Sequence, residues 1–290
     1  MRKIKIITDS TCDIPPELIQ KYDITIVPLY VSFGEETFAD GVEITVPELF
    51  AKEKATGIMP KTSATGPEIF NQVFKKYIDE DYDIFYTGIG SGFSSTFQSA
   101  TIARQEFPEG RIALVDSKNL SSGSGLLTLE AVRLREEGKT LSEIASSVEE
   151  LVPNVRAQFI VDNLDYLYKG GRLSGAKFFF GRMLRAHPFI VVNDGKMDVA
   201  ATPKGKIIRA LDHQLDIFKK HLAEGIRPER VIITSVVAEE AEKYYFEELS
   251  KLVDPKTIVC SKAGSVIASH CGVGTIGILY IRKVKNSLDN

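Results

Sequence analysis

A chain of 290 residues with 43% hydrophobic and 26% charged residues is typical of a globular protein with one large domain or two. The net charge of −3 indicates no basic surface, so we expect no nucleic-acid partner. No signal peptide or transmembrane segment is predicted, and the three cysteines form no C-x-x-C pair, so we expect a cytoplasmic location. The four histidines lack metal-ligand spacing, and we expect no metal.

The first half of the chain alternates between strand patterns and helix patterns. Strands are predicted at 3–8, 24–33, 83–87 and 111–116. Helices are predicted at 16–22, 45–57, from 65 onward, at 96–104, 126–137 and 140–153, with an exposed loop at 59–64. Thr45, Thr65 and Thr140 each precede a Glu by three residues, which is the pattern of a capping box. The alternation predicts right-handed βαβ units and a parallel sheet flanked by helices.

The second half combines a hairpin with further strands and helices. Asp194-Gly195 lies between short apolar segments at 189–192 and 197–201, a strong hairpin signal. Other strands are predicted at 158–161, 230–237, 256–260 and 276–284, and helices at 164–172, 174–184, 206–223 and 239–252. We expect two α/β domains, 1–155 and 156–290, the second with a mixed sheet, and a ligand cleft between them.

The segment from Gly88 to Ala100 is the strongest candidate for a binding site. A predicted strand turns through three glycines and several hydroxyls into a helix, which presents free N–H groups to an anion. The turn contains no Lys or Arg, so the expected anion is small and singly charged, such as a carboxylate. Ser94 is the residue of the turn that we most expect to bind this anion, while Ser95 and Thr96 are predicted to cap the helix. Serine-rich and threonine-rich loops after two other strands should meet this turn at the same sheet edge.

Two further segments have open interpretations. Gly272 to Gly277 matches the dinucleotide-binding pattern G-x-G-x-x-G by letters, but a strand rather than a helix is predicted to follow it, so we reject nucleotide binding. We interpret these glycines as a tight turn that holds His270 in a loop of small residues. A neutral imidazole there can orient a hydroxyl or bond to the backbone. Arg172 is either a surface arginine at a helix C-terminus or an anion contact.

A Ser/His esterase-type hydrolase is the enzymatic alternative. Gly92 to Thr96 resembles a nucleophile elbow around Ser94, with its last glycine missing, and His270 lies downstream as the base. Asp116 or Asp165 would complete the chain order of an α/β hydrolase. A regulatory binding module is a weaker alternative, because no basic face supports direct contact with DNA.

Several segments together carry a more specific signal. They span residues 8–15, 61–63, 94–100, 164–172 and 269–277. The most specific are Leu-Asp-Tyr-Leu-Tyr-Lys-Gly-Gly-Arg and Ser-His-Cys-Gly-Val-Gly-Thr-Ile-Gly. In this combination and order they resemble the DegV family of bacterial fatty-acid-binding proteins.

The resemblance implies a two-domain α/β fold that holds one long-chain fatty acid between the domains, with the acyl chain in an apolar tunnel. It implies that the carboxylate is bound by Thr62, Ser63, Ser94 and His270. It places Ser95, Gly272 and Gly274 in supporting loops. The bound fatty acid is the only ligand implied, and no cofactor is expected.

The resemblance also implies a role in a two-component fatty acid kinase. The chain would be the lipid carrier rather than an enzyme. A separate ATP-binding kinase subunit would phosphorylate the bound carboxylate, and the acyl phosphate would feed phospholipid synthesis. Arg172 matches an arginine implicated in the kinase step, and transient membrane contact is compatible with lipid exchange.

The chain departs from the usual family pattern at several positions. Ser95 and Phe97 replace a glycine and a tyrosine, Ala64-Thr65 replaces Gln-Pro, and Val273 replaces a proline. These differences adjoin the expected head-group site. Arg185-Ala186-His187-Pro188 replaces Asn-Ile-Lys-Pro, which bears on the surface expected to meet the kinase.

Overall fold

The computed structural model describes residues 2–162, 164–173, 186–227 and 229–283. The helix predicted at 174–184 and Arg185 lie outside these described residues. Within the described ranges, no helix has both the length and the apolar character needed to cross a membrane.

The described residues form an α/β structure. Its strands are β1 Ile4–Asp9, β2 Thr25–Val27, β3 Tyr30–Phe33, β4 Glu36–Ala39, β5 Lys61–Ser63, β6 Asp83–Tyr86, β7 Ile112–Leu114, β8 Val155–Ile160, β9 Phe189–Asn193, β10 Lys196–Ala201, β11 Val231–Val236, β12 Ile258–Lys262 and β13 Thr275–Ile281. Its helices are α1 Pro16–Lys21, α2 Val46–Thr56, α3 Pro67–Asp79, α4 Thr96–Arg104, α5 Ser122–Glu136, α6 Leu141–Leu151, α7 Asp165–Lys169, α8 Ile208–Glu224, α9 Glu239–Leu249 and α10 Ser265–Cys271.

Two sheets carry most of this architecture. Strands in the order β2-β1-β6-β7 form a parallel sheet. Strands in the order β10-β9-β8-β13-β11-β12 form a mixed sheet, in which the β11–β12 pair is parallel and the other pairs are antiparallel. The predicted fold class, with an N-terminal parallel sheet and a C-terminal mixed sheet, is confirmed. The domain boundary at 155/156 stays a prediction.

Helix α5 lies between the two sheets and contacts β1, β8 and β13. Both faces of the parallel sheet are covered, since Ile6 and Ile7 in β1 point to opposite sides and are fully buried. Ile7 packs in a cluster with α3 and α4, while Ile6 joins the larger cluster around α5. Burial of one such side chain stabilises the fold by about 1.5–3 kcal/mol. Helix α5 covers one face of the mixed sheet, and helices α8 and α9 cover the opposite face.

Several local predictions are confirmed. Thr45 with Glu48 and Thr140 with Glu143 form capping boxes at the starts of α2 and α6. The hairpin β9–β10 turns at Asp194-Gly195, where both residues have positive φ values of 45° and 73°. These features depend on residues close in sequence, which is why the pattern predicts them.

The predicted strand 24–33 is wrong as a single element. Pro28 lacks an amide hydrogen and separates β2, in the parallel sheet, from β3. Strand β3 pairs antiparallel with β4 and with β5, so a third, three-stranded sheet forms, and the predicted loop 59–64 contains β5. The Thr65 hydroxyl donates to the Pro28 carbonyl instead of capping α3, whose N-cap is Gly66.

The predicted loop around His270 is also wrong, because residues 265–271 form α10. Side chains from the first half of the chain hold its start. The Asp13 carboxylate accepts from the Gly264 amide at 2.8 Å, and that of Asp40 accepts from the Ser265 amide at 2.7 Å. Asp13 also accepts from the Ser121 hydroxyl at the start of α5. These contacts satisfy backbone donors that α10 leaves free.

Replacement of Asp13 by alanine should therefore destabilise the protein. Asp13→Ala leaves the half-buried Gly264 amide and the buried Ser121 hydroxyl without this acceptor, at an expected cost of about 3 kcal/mol in unfolding free energy. Urea unfolding followed by circular dichroism measures the change. The control is Asp79→Ala, which removes an exposed ion pair to Lys75 and should cost under about 0.5 kcal/mol. Equal urea midpoints for the two variants would contradict the assigned role of Asp13.

Candidate functional site

The glycine-rich turn after β6 is braced by Asp9, the last residue of β1. The Asp9 carboxylate accepts from the Ile89 amide at 2.8 Å, from the Tyr86 hydroxyl at 3.1 Å and from the Thr11 hydroxyl at 2.6 Å. A Cβ at Gly88 would overlap this carboxylate, so only glycine fits there. The structure thus brings the end of β1 and the turn after β6 together at the carboxyl edge of the parallel sheet.

The loop after β7 packs on the same turn. The Gly90 amide donates to the Asn119 carbonyl at 2.7 Å, and the Ser91 amide donates to the Asp116 carboxylate at 3.0 Å. The hairpin tip adds a further contact, since a Cβ at Gly92 would overlap the Gly195 carbonyl. Burial raises the pKa of the Asp9 carboxyl group, and the hydrogen bonds that Thr11, Ile89 and Tyr86 donate to it counteract that rise. The turn is therefore held by contacts with Asp9, with the loop after β7 and with the tip of the β9–β10 hairpin.

Ser94 lies at the end of this turn and is half-buried. Its hydroxyl oxygen accepts from the Thr96 amide at 3.2 Å and lies 2.8 Å from the Thr96 hydroxyl oxygen. Ser94 thus bonds to the first turn of α4. The sequence pattern predicts that Ser95 and Thr96 both cap α4. This prediction is wrong for Ser95, which occupies the N-cap position but makes no side-chain cap bond, and Thr96 is the first residue of the helix.

Thr62 and His270 meet although they lie in opposite halves of the chain. Thr62 is the central residue of β5, opposite Val31 in β3. His270 lies in the last turn of α10. The Thr62 hydroxyl oxygen lies 2.8 Å from Nε2 of His270, a hydrogen-bonding distance.

The other ring nitrogen of His270 determines which way this bond runs. Nδ1 is buried against Gly170 and has no hydrogen-bond partner among the described residues. A buried N–H without a partner is rarer than an under-satisfied acceptor, so Nδ1 is best left unprotonated. Nε2–H then donates to Thr62, and the Thr62 hydroxyl hydrogen is free to donate to another acceptor.

His270 is neutral at physiological pH. Burial, with the positive charge of Arg172 as a smaller cause, lowers the pKa of His270 from 6.5 to about 4. Arg172 itself is exposed. Its guanidinium donates to the Gly170 carbonyl at 2.6 Å and to the Phe93 carbonyl at 3.4 Å. Arg172 therefore connects the end of α7 to the glycine-rich turn, beside His270.

One cavity of about 40 Å³ gathers the predicted contact residues. Its polar wall consists of Thr62, Ser63, Ser94, Arg172 and His270. The rest is mainly apolar and includes Ile89, Phe93, Leu120 and Ile267. Ser95, Gly272 and Gly274 lie outside this lining; Gly272 ends α10 against the Tyr166 ring. A few hydroxyls and one imidazole in the wall of a mainly apolar cavity suit a molecule with one polar end.

The hydrolase alternative gains no support from this geometry. The described hydrogen bonds of Ser94 go to Thr96, and that of His270 goes to Thr62. Asp116 bonds to Ser91 and to the Lys118 amide. A nucleophile activated by a base needs a bond between the two, with a third group that orients the base. The described contacts include no bond between Ser94 and His270 and no bond from a third group that orients His270.

Some parts of the site were not predicted from the sequence. Val266 and Ile267 supply apolar wall from α10, a helix that the sequence pattern did not indicate. Met197 contributes from the β9–β10 hairpin, whose tip is held by an ion pair of 2.7 Å between Lys118 and Asp194. Within the described ranges, no three His, Cys, Asp or Glu side chains are placed to hold a metal ion.

Comparison with known proteins gives a consistent result. The family model described as "Uncharacterised protein, DegV family" matches residues 3–283. A DegV domain-containing protein from Clostridium acetobutylicum is 35% identical over 285 residues, which cover 98% of this chain and 100% of that protein. A DegV domain-containing protein from Clostridium perfringens is 33% identical over 287 residues, with 98% and 100% coverage.

Solved structures resemble this chain over the same length. The fatty-acid-binding DegV family protein from Thermus thermophilus has a TM-score of 0.88 and 33% identity, and the match covers 98% of this chain and 100% of that one. A stearic-acid-binding protein from Eubacterium ventriosum has a TM-score of 0.86 and 30% identity, with 98% and 99% coverage. DegV from Bacillus subtilis, a fatty-acid-binding protein, has a TM-score of 0.85 and 28% identity, with 98% and 100% coverage.

The lowered pKa of His270 predicts a pH dependence of stability. Between pH 6.5 and about 4 the unfolded chain binds a proton at His270 that the folded chain excludes. This contribution to stability is present above pH 6.5 and is lost as the pH falls to 4, by up to roughly 3 kcal/mol. Urea unfolding of the wild type and of His270→Gln at several pH values isolates it from other groups. The wild type should lose stability relative to the variant as the pH falls; parallel curves would contradict the assignment.

Proposed function

The chain belongs to the DegV family, and we propose that it binds a long-chain fatty acid and presents the carboxylate to a separate ATP-binding kinase subunit. The observation that carries the proposal is the convergence of Thr62, Ser94 and His270 on one largely apolar cavity. Fatty-acid binding by the similar proteins from Thermus thermophilus, Bacillus subtilis and Eubacterium ventriosum supports the lipid assignment.

The head group is held by neutral donors. A buried carboxylate is several kcal/mol less stable than one in water unless hydrogen bonds satisfy it. The Thr62 hydroxyl is free to donate because Nε2–H of His270 satisfies its oxygen. Ser94 can donate likewise, since its oxygen already accepts from the Thr96 amide. Ser63 lies exposed at the rim beside Thr62 and adds a further hydroxyl.

Arg172 serves the kinase step on the outer side of this head group. Its guanidinium is exposed yet lines the same cavity, so an incoming phosphoryl group would meet a fixed positive charge beside the carboxylate. The segment 272–277 runs from α10 into β13, the reverse of the strand-to-helix order that binds nucleotides, which supports a separate subunit as the source of ATP. The acyl phosphate formed would feed phospholipid synthesis.

Removal of either donor hydroxyl should weaken fatty-acid binding. Thr62→Ala and Ser94→Ala are each expected to weaken palmitate binding roughly ten- to hundredfold, because a hydrogen bond to a charged acceptor contributes about 1.5–3 kcal/mol. Displacement of a fluorescent fatty acid measures the affinity, and organic extraction with mass spectrometry identifies lipid bound to the purified wild type.

Ser99→Ala, in α4 outside the cavity lining, is the matched control and should bind palmitate as the wild type does. Ser94→Ala also removes the acceptor of the Thr96 amide, so its urea midpoint is measured alongside. Thr62→Ala leaves that bond intact and is the independent check. Equal affinity in both variants and the wild type, with no lipid in the extract, would overturn the proposed function.

Replacement of Arg172 should separate binding from phosphorylation. Arg172→Ala is expected to change palmitate affinity less than about threefold, since the carboxylate donors stay in place, and to lower acyl-phosphate formation roughly hundredfold or more. The assay supplies ATP and the kinase subunit from the same organism and traps acyl phosphate with hydroxylamine. Arg209→Ala, outside the cavity lining, is the control. Wild-type phosphorylation by Arg172→Ala would show that Arg172 has no part in the transfer.

A further inference from the structure

The residue that follows α7, Gly170, is in contact with both His270 and Arg172. A Cβ at Gly170 would lie 2.2 Å from Nδ1 of His270, so the main chain packs directly against the imidazole. The Arg172 guanidinium donates to the Gly170 carbonyl at 2.6 Å. The position of Gly170 therefore determines how the imidazole is covered and where the guanidinium is held.

Gly170 is in turn held by Tyr166, one helical turn earlier. The Gly170 amide donates to the Tyr166 carbonyl at 2.8 Å, which closes the last turn of α7. Helix α7 is only five residues long. Because short helices are marginal in water, α7 depends on packing against its neighbours for its position.

The side chain of Tyr166 packs against two neighbouring helices. Its hydroxyl donates to the Glu53 carboxylate in α2 at 2.9 Å, and its ring packs edge-on against Phe50, with the ring centroids 6.2 Å apart. The ring also lies against the end of α10, where a Cβ at Gly272 would be 2.6 Å from Cδ2 of Tyr166. Tyr166 thus contacts both α2 and the helix that carries His270.

The hydrogen bond between Tyr166 and Glu53 joins two half-buried side chains. Burial, followed by this hydrogen bond, raises the pKa of Tyr166 to about 12, so the phenol keeps its proton and acts as the donor at physiological pH. A hydrogen bond to a carboxylate is about twice as strong as one between neutral groups. The bond is therefore a specific attachment of α7 to α2.

We propose that Tyr166, anchored on Glu53, is a positioning residue that holds Gly170 against His270 and keeps Arg172 in place for the kinase step. The part that concerns Arg172 rests on the proposed function. Without the anchor, α7 moves away from α10, and the imidazole loses the cover of Gly170. The carboxylate donors lie in β5 and in the glycine-rich turn, which other contacts hold, so fatty-acid affinity depends little on Tyr166.

Removal of the Tyr166 hydroxyl should expose His270 to water. Tyr166→Phe keeps the ring and removes the bond to Glu53. The pKa of His270, followed by NMR titration of its ring resonances in the unliganded protein, should rise from about 4 to about 5. The rise is expected because burial and the charge of Arg172, which both lower this pKa, decrease together.

Tyr244→Phe is the matched control. It removes a tyrosine–carboxylate bond of 2.5 Å to Asp212, between α8 and α9, and should leave the pKa of His270 unchanged. Glu53→Ala should reproduce Tyr166→Phe, and the double variant should be no worse than either single variant. Glu53→Gln keeps an acceptor oxygen and should restore most of the wild-type behaviour. An unchanged pKa of His270 in both Tyr166→Phe and Glu53→Ala would overturn the positioning role.

Phosphorylation tests the part that concerns Arg172. With saturating palmitate, Tyr166→Phe should lower the rate of acyl-phosphate formation roughly tenfold, because a misplaced group contributes less to the transfer, while palmitate affinity changes less than about twofold. A wild-type rate would overturn this part of the proposal. If the wild type bound no palmitate, the proposed function would fail, whereas a raised pKa of His270 in Tyr166→Phe would still support the positioning role.

Discussion

The buried carboxylates of Asp13 and Asp40 hold the start of α10, and the geometry of the site depends on this attachment. Both residues belong to the first half of the chain, yet they accept from the Gly264 and Ser265 amides near its end. Burial raises the pKa of both, and the bonds from α10 favour their charged forms. Helix α10 is short, so fixing its first residues also fixes its last turn. His270 is thereby placed within hydrogen-bonding distance of Thr62.

The resulting site has hydrogen-bond donors but little charge. His270 has a pKa near 4 and is neutral, Thr62 and Ser94 are hydroxyls, and the positive charge of Arg172 lies at the exposed side. Such an arrangement suits a singly charged carboxylate better than a phosphate, which carries more charge and favours arginine or lysine contacts in proteins. It also allows the head group to bind without a buried ion pair, whose desolvation is unfavourable.

Much of the fold could be predicted because its signals are local. The capping boxes, the Asp194-Gly195 hairpin and the strand before the glycine-rich turn each depend on neighbouring residues. Helix α10 could not be predicted, because six of the seven residues 265–271 are buried and no polar face marks a helical period. The bond between Thr62 and His270 joins residues 208 positions apart, and no residue spacing indicates such a contact. Strand β5 is three residues long with two exposed side chains, and only its pairing with β3 defines it.

The glycines from 272 to 277 show why a motif of letters needs its structural context. Gly272 ends α10 with a φ of 79°, and a side chain there would overlap the Tyr166 ring. Gly277 lies in extended β13, where the limit is contact with the neighbouring strand β8. The two glycines meet unrelated requirements, one at a helix end and one in a sheet, and neither needs a phosphate. The spacing that imitates a nucleotide motif instead follows from the short connection between α10, which carries His270, and strand β13.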